Sequence, residues 1–287
     1  SGERRLIAVY GMSHARRLAR AVSRVADDVA VRDVTAPAAT PNWSYGAYRM
    51  DRPAHEADAA VLGILAYNVS KLSTTTAMTA YFDMAFPYGQ PRYRVEQGRL
   101  QETLPFFRSA DDFRAAFFDP DRWDQFRESL LQHDRYYDPF LFRESFLDRS
   151  AVVRALRRSY AGRLRQRLAA TVYHPQTGFD ASSEEIRVLR EMVSEFARTA
   201  RRDGVLPVVF VVNSLGFGDA LYRSLLPVLT QLDVPTLSSH DFVSPNDPHG
   251  YRSDSHFHDA TDDAMARALL ELVERNLRIR PETAATP

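Results

Sequence analysis

The chain has 287 residues, enough for one large α/β domain or two small ones, and 45 % of them are hydrophobic, an ordinary share for a packed core. Its 37 basic and 37 acidic residues cancel to a formal net charge of zero, so no overall field draws nucleic acid or an anionic membrane, and no apolar run approaches the ~18–20 residues a membrane helix needs. There is no cysteine, which excludes disulfides, thiolate metal sites and cysteine nucleophiles.

No signal peptide opens the sequence, and Ser1-Gly2 before a charged segment reads as the remnant of a trimmed start, so localisation is left open. Arg5 to Tyr10 reads as the first strand, stopping at Gly11-Met12-Ser13. Ala15, Leu18, Ala19, Val22 and Ala26 then recur at helical spacing, so a helix with one buried face begins beside Ser13. A hydroxyl there meets the free N–H groups of a helix start, which favour negative charge on a nearby oxygen and suit a nucleophile. A serine at such a turn also commonly does no more than cap the helix. Val29 to Val34 alternates apolar and polar residues. It leads through a Pro- and Ala-rich loop, Thr35 to Pro41, into Trp43-Ser44-Tyr45-Gly46-Ala47-Tyr48, and together these have the form of a second strand and its exit loop. Ala57 to Ala66 is nearly all apolar and ends at Tyr67-Asn68. A strand apolar on both faces belongs inside a sheet covered by helices on both sides, so parallel α/β is the expected class.

Residues 81–173 lose this rhythm and are crowded with aromatics and arginines, with helical stretches at Asp121 to Gln132 and Ser150 to Ala169. An interval this long is an insertion with its own structure, serving either as a lid or as a helical pack that completes a hydrophobic core. Its arginine runs, Arg154 to Arg158 and Arg163 to Arg167, read as a solvated helix face. Regular α/β pattern returns at Ser182-Ser183-Glu184-Glu185, a capping-box form, followed by a helix to Asp203-Gly204 and a buried strand, Val205 to Val212. A loop, a helix interrupted or ended near Pro227, and a short strand at Val234 to Leu237 follow. A polar loop then leads to a last helix, Thr261 to Leu277, and residues 278–287 read as a disordered tail.

The polar loop carries Asp254-Ser255-His256. An Asp and a His this close can share a hydrogen bond in which the carboxylate orients the imidazole and stabilises its charged form, which is what a serine nucleophile needs of its base. In a doubly wound parallel sheet the loops at the carboxyl ends of the strands converge on one edge. On this assignment Ser13, Gly46, Asn68 and His256 all fall in such loops.

With Tyr10-Gly11-Met12-Ser13-His14, Gly63-Ile64-Leu65-Ala66-Tyr67-Asn68 and Asp254-Ser255-His256-Phe257 in this order, the sequence resembles the SGNH (GDSL-like) hydrolases. The resemblance covers the regular α/β parts and not the insertion. It departs from the family pattern at Met12 and Val69, where Asp is frequent, and in its Asp-x-His spacing. It implies a flavodoxin-like, doubly wound parallel sheet of about five strands flanked by helices in a single domain (1–287), with the helical insertion after the third strand. It also implies a serine esterase with Ser13 as nucleophile, His256 as base and Asp254 as its partner. The oxyanion would be held by the Ser13 and Gly46 backbone N–H groups and the Asn68 side chain, with no cofactor and no metal. The implied substrate is a small-molecule or glycan ester, most simply an O-acetylated carbohydrate. The readings it competes with are a glycan O-acyltransferase using the same triad, a non-catalytic glycan-binding domain, and a metal-dependent hydrolase built on Asp254, His256, His258, Asp259 and His249. Asn68-Val69-Ser70 also matches a glycosylation sequon.

Overall fold

The computed structural model describes residues 4–82, 89–143 and 145–279. Strand β1 (Arg5–Gly11) leads into α1 (Ser13–Val25), β2 (Val29–Thr35), α2 (Pro41–Asp51) and β3 (Ala59–Leu65). A short helix α3 (Ala77–Ala80) precedes the hairpin β4 (Arg92–Glu96) and β5 (Arg99–Thr103), then helices α4 (Ala110–Phe117), α5 (Pro120–His133), α6 (Pro139–Phe142) and α7 (Ala151–Ala170). The minute strands β6 (Tyr173–His174) and β7 (Gly178–Phe179) return the chain to α8 (Glu184–Arg202), β8 (Leu206–Val212), α9 (Ala220–Gln231), β9 (Thr236–Ser238) and α10 (Asp259–Ile279).

The central sheet has the order β2-β1-β3-β8-β9 with every pair parallel, consistent with a flavodoxin-like fold. Alternation along the strands makes the two cores. Ile7, Val9, Val61, Val208 and Phe210 pack under α1 and α10, whereas Ala8, Tyr10, Leu62, Val209 and Val211 pack under α2, α8 and α9. At the carboxyl end of β1 the helix α1 comes so close that a Cβ on Gly11 would lie 2.6 Å from that of Ala15 and 3.4 Å from Gly63 Cα. The two glycines therefore let β1, β3 and the start of α1 converge, which fixes where Ser13 emerges.

Three sequence expectations need correction. Residues 43–48 are not loop: they lie within α2, with Pro41 in its first turn and Tyr45 and Tyr48, three residues apart, burying their rings against Tyr93, Tyr10 and Phe196. Strong aromatic β-propensity is overridden there by a helical spacing of the buried rings and a proline pre-set for a helix start. Pro227 does not end its helix but stands inside α9, where Leu225, Val228 and Leu229 are buried around it. Of the tail, Arg278 and Ile279 continue α10, and residues 280–287 lie outside the described residues.

The insertion is not purely helical, since it also holds the β4–β5 hairpin, turned by Gln97 and Gly98 at φ 50° and 73°. Its aromatics form a small core of their own, Phe107, Ala116, Phe126 and Leu130 with Phe113 and Trp123 packed on it. Asp134 ties that unit down, accepting from the Thr75 and Tyr136 backbone N–H groups and the Thr75 and Thr79 hydroxyls. Helix α7 differs: of its 20 residues only Ala161 is buried.

Candidate active site

Ser13 is the first residue of α1, and Met12, not Ser13, occupies the cap position without a side-chain cap bond. The Ser13 hydroxyl instead meets the His256 imidazole, Oγ to Nε2 at 2.7 Å. The helical geometry also leaves the Ser13 N–H without a carbonyl four residues back, so it is one of the unsatisfied donors of the helix start. Asp254 lies on the far side of the ring, Oδ2 at 3.2 Å from Nδ1, while its Oδ1 accepts the His256 backbone N–H at 3.2 Å. The ring contact is an ion-pair distance, but it is bent off the line that a hydrogen bond needs, so Nδ1 has no aligned partner. The backbone bond from His256 and the adjacent imidazole hold the Asp254 carboxyl below its ordinary range. Between them Ser255 takes φ 65°, and this left-handed turn brings an acid and a histidine two residues apart to the same side.

His14, in the first turn of α1, lies against His256 with ring centres 4.6 Å apart and planes tilted by 34°, and meets Phe257 edge-on at 5.1 Å. Its Nε2 is 3.2 Å from the Ser255 carbonyl, and its Nδ1 is buried without a partner. Burial first, and the neighbouring His256 second, push the His14 imidazole down to about 4, so it is neutral at physiological pH. This residue carries no sequence signal beyond its adjacency to Ser13.

Asn68 follows β3 in the turn Ala66–Ser73 and is 1 % exposed, which makes its sequon inaccessible to a glycosylating enzyme. Its Oδ1 accepts from Lys71 Nζ at 3.1 Å, which fixes which way the amide points, and lies 2.8 Å from the Tyr81 hydroxyl, whose one hydrogen is shared with the Ala38 carbonyl at 2.8 Å. Its Nδ2 donates to the Ala39 carbonyl at 2.9 Å, and the 3.5 Å contact to Ala38 is too long to hold the second hydrogen firmly. Lys71 is itself buried between the Tyr67 and Tyr81 rings, 3.8 and 3.9 Å from their centres, and desolvation pushes its ammonium well below the ordinary lysine range.

Gly46 does not lie in a turn at the end of a strand. It is the sixth residue of α2, so its N–H is turned along the helix to the carbonyl four residues back, and a Cβ there would lie 2.8 Å from Pro91 Cγ. The glycine serves helix packing. The loop that does follow β2 contains a left-handed residue, Ala38 at φ 55°.

His258 directs Nε2 to the His249 carbonyl and Asp259 pairs with Arg17 and Arg252, so the histidines and acids around residue 256 diverge. Among the described residues no three His, Cys, Asp or Glu side chains converge as metal ligands. A second Ser-His-Asp alignment does exist at the end of β9: Ser238 Oγ is 2.7 Å from His240 Nδ1, and His240 Nε2 is 3.3 Å from Asp241. Ser238 is only 1 % exposed and also accepts from the buried Asn213, so this set braces the ends of β8 and β9 instead of facing a substrate.

The molecule is thus a flavodoxin-like α/β protein with a Ser-His-Asp constellation at the carboxyl edge of its sheet. Comparison of the chain with protein-family models, with curated proteins and with solved structures gives no match.

Proposed function

We propose that the chain is a serine esterase of the SGNH type that removes an acyl group from a carbohydrate ester through an acyl-serine intermediate. The observation that carries this reading is the 2.7 Å contact between Ser13 Oγ and His256 Nε2, made by residues 243 positions apart at the carboxyl edge of a parallel sheet. His256 Nε2 takes the hydroxyl proton as Oγ attacks the ester carbonyl. The C–O bond to the alcohol then breaks, and the leaving oxygen recovers that proton from the imidazolium. Water, activated by the same nitrogen, adds to the acyl-serine and releases the acid. The Ser13 N–H and the loosely held second hydrogen of Asn68 Nδ2 supply the oxyanion donors. The backbone donor that Gly46 does not provide is assigned to the Ala38 N–H, since the Ala36 and Ala39 N–H groups are bonded to the Gly11 and Ala36 carbonyls and Pro37 has none. An acylated sugar is favoured by the partly exposed Ser13 and His256, which give an open site suited to a bulky hydrophilic substrate.

The test is a panel of small acyl esters and acetylated glycans assayed with the wild type and Ser13→Ala. Activity on acetylated sugars that Ser13→Ala abolishes, with an active-site serine probe labelling Ser13, is the expected result. Unchanged turnover in Ser13→Ala overturns the nucleophile. Preference for long-chain lipid esters overturns the substrate class. Adding excess glycan acceptor separates hydrolysis, which yields free acid alone, from acyl transfer.

A further inference from the structure

Neutral overall charge conceals one strongly basic segment. Residues 139–170 contain eight arginines against Glu144 and Asp148, a net of +6 that leaves −6 on the rest of the chain. Asp148 is paired with Arg157, while Arg143, Arg149, Arg154, Arg158, Arg163 and Arg167 are exposed. The same segment shows large apolar side chains to solvent: Phe146 is 85 % exposed, Val152 67 % and Leu156 59 %. Helix spacing organises them. Val152, Leu156 and Tyr160 succeed one another every four residues along the outer line of α7, and Arg163 and Arg167 continue it, while Ala161 faces the protein. Phe146 and Leu147 extend the apolar end just before the helix.

We infer that α7 and the turn before it form a docking face for an anionic lipid surface. An interfacial helix gains both from apolar side chains entering the headgroup boundary and from arginines meeting lipid phosphates. A second copy of this face is disfavoured, because a two-fold contact sets its arginines against one another and the one described acid in the segment is already taken by Arg157. A nucleic acid or acidic glycan satisfies the arginines but leaves Val152, Leu156 and Leu147 without apolar partners. The docking leaves the sheet edge served: α7 packs on the Ala66–Ser73 turn that carries Asn68, and Arg165 lies close enough to bear on the Lys71 ammonium. This inference does not depend on the esterase reading.

The test is co-sedimentation of the purified chain with phosphatidylcholine vesicles with and without phosphatidylglycerol, at low and raised salt. Thermal unfolding midpoints establish that each variant is folded. The wild type is expected to bind only the anionic vesicles and to be released by salt. Arg163→Gln with Arg167→Gln is expected to weaken partitioning about thirtyfold, from about 1 kcal/mol per charge. Val152→Ser with Leu156→Ser is expected to weaken it about tenfold. Equal binding to neutral and anionic vesicles, or no binding at low salt, overturns the inference. Loss of binding in the arginine variant with none in the apolar variant also overturns it, in favour of a soluble polyanion. A wild-type dimer that the apolar variant turns into a monomer overturns it in favour of self-association.

Discussion

Acidification is expected to destabilise this protein through His14 in a way that a single substitution removes. Its imidazole titrates at an ordinary 6.5 in the unfolded chain and at about 4 in the folded one, because it is 7 % exposed and lies against His256. A depressed folded value means that the neutral form is the one that folds. The stabilising contribution is therefore complete above about pH 6.5 and is lost as the pH falls towards about 4, where the unfolded state alone binds the proton. Between about pH 7.5 and about pH 4.5 this linkage amounts to about 2.5 kcal/mol. His14→Gln keeps a neutral donor for the Ser255 carbonyl but has nothing to titrate. The assay is urea unfolding of both proteins across that range, and the quantity read is the difference between their two pH dependences, which cancels the carboxylates common to both. A wild-type curve falling about 2.5 kcal/mol more steeply supports the reasoning. Parallel curves refute it and show that His14 is not held neutral by burial.

Other outcomes follow from the contacts at the site and its supports. Asn68→Ala is expected to lower kcat by about 10²–10³ at similar KM, and Lys71→Met, which leaves the Asn68 amide with one orienting donor, by about tenfold; steady-state kinetics on an acetylated substrate reads both. Gly46→Ala is expected to lower the unfolding midpoint through its clash with Pro91, at a net cost of about 1 kcal/mol after the gain in helix propensity, with kcat unchanged; a large loss of kcat in a folded variant restores Gly46 to the site. Asp134→Ala strands the Thr75 and Tyr136 N–H groups in a buried place and is expected to cost about 3 kcal/mol in urea unfolding, whereas a loss below about 1 kcal/mol shows that water replaces the carboxylate.

The sheet was legible because its signal is local. Runs such as Ala59–Leu65 and Leu206–Val212 are apolar without break, and only a strand covered on both faces uses such runs. The closeness of Asp254 and His256 was legible for the same reason, since the two residues need only one turn to meet, but the expected hydrogen bond to Nδ1 was not met, because the carboxylate lies off its line. Gly46 was misplaced because a glycine in an aromatic stretch reads as a loop residue, whereas here it is a contact point between α2 and Pro91. The left-handed residue that the loop after β2 does contain is an alanine, a residue type that rarely adopts this conformation. His14, Lys71 and Ser238 were invisible as participants because their roles come from burial. Depression of the His14 and Lys71 pKa values requires neighbours up to hundreds of residues away, and nothing in a histidine next to a serine says that its ring will lie under the base.

The same burial answers a difficulty in the site itself. Asp254 is 56 % exposed and poorly aligned with Nδ1, and a charge pair so open to water is weakened by solvent screening. It cannot by itself hold the His256 ring in register with Ser13. The ring is held from its face instead, by His14, which is pinned in turn between Phe257 and the Ser255 carbonyl. In the proposed reaction such a support works only if it is uncharged, because His256 would become an imidazolium on taking the serine proton and a second cation 4.6 Å away would oppose that step. Burial, which pushes the His14 imidazole down to about 4, keeps this support neutral at physiological pH. The acid sensitivity expected of the fold is then the thermodynamic counterpart of keeping the face of the base neutral.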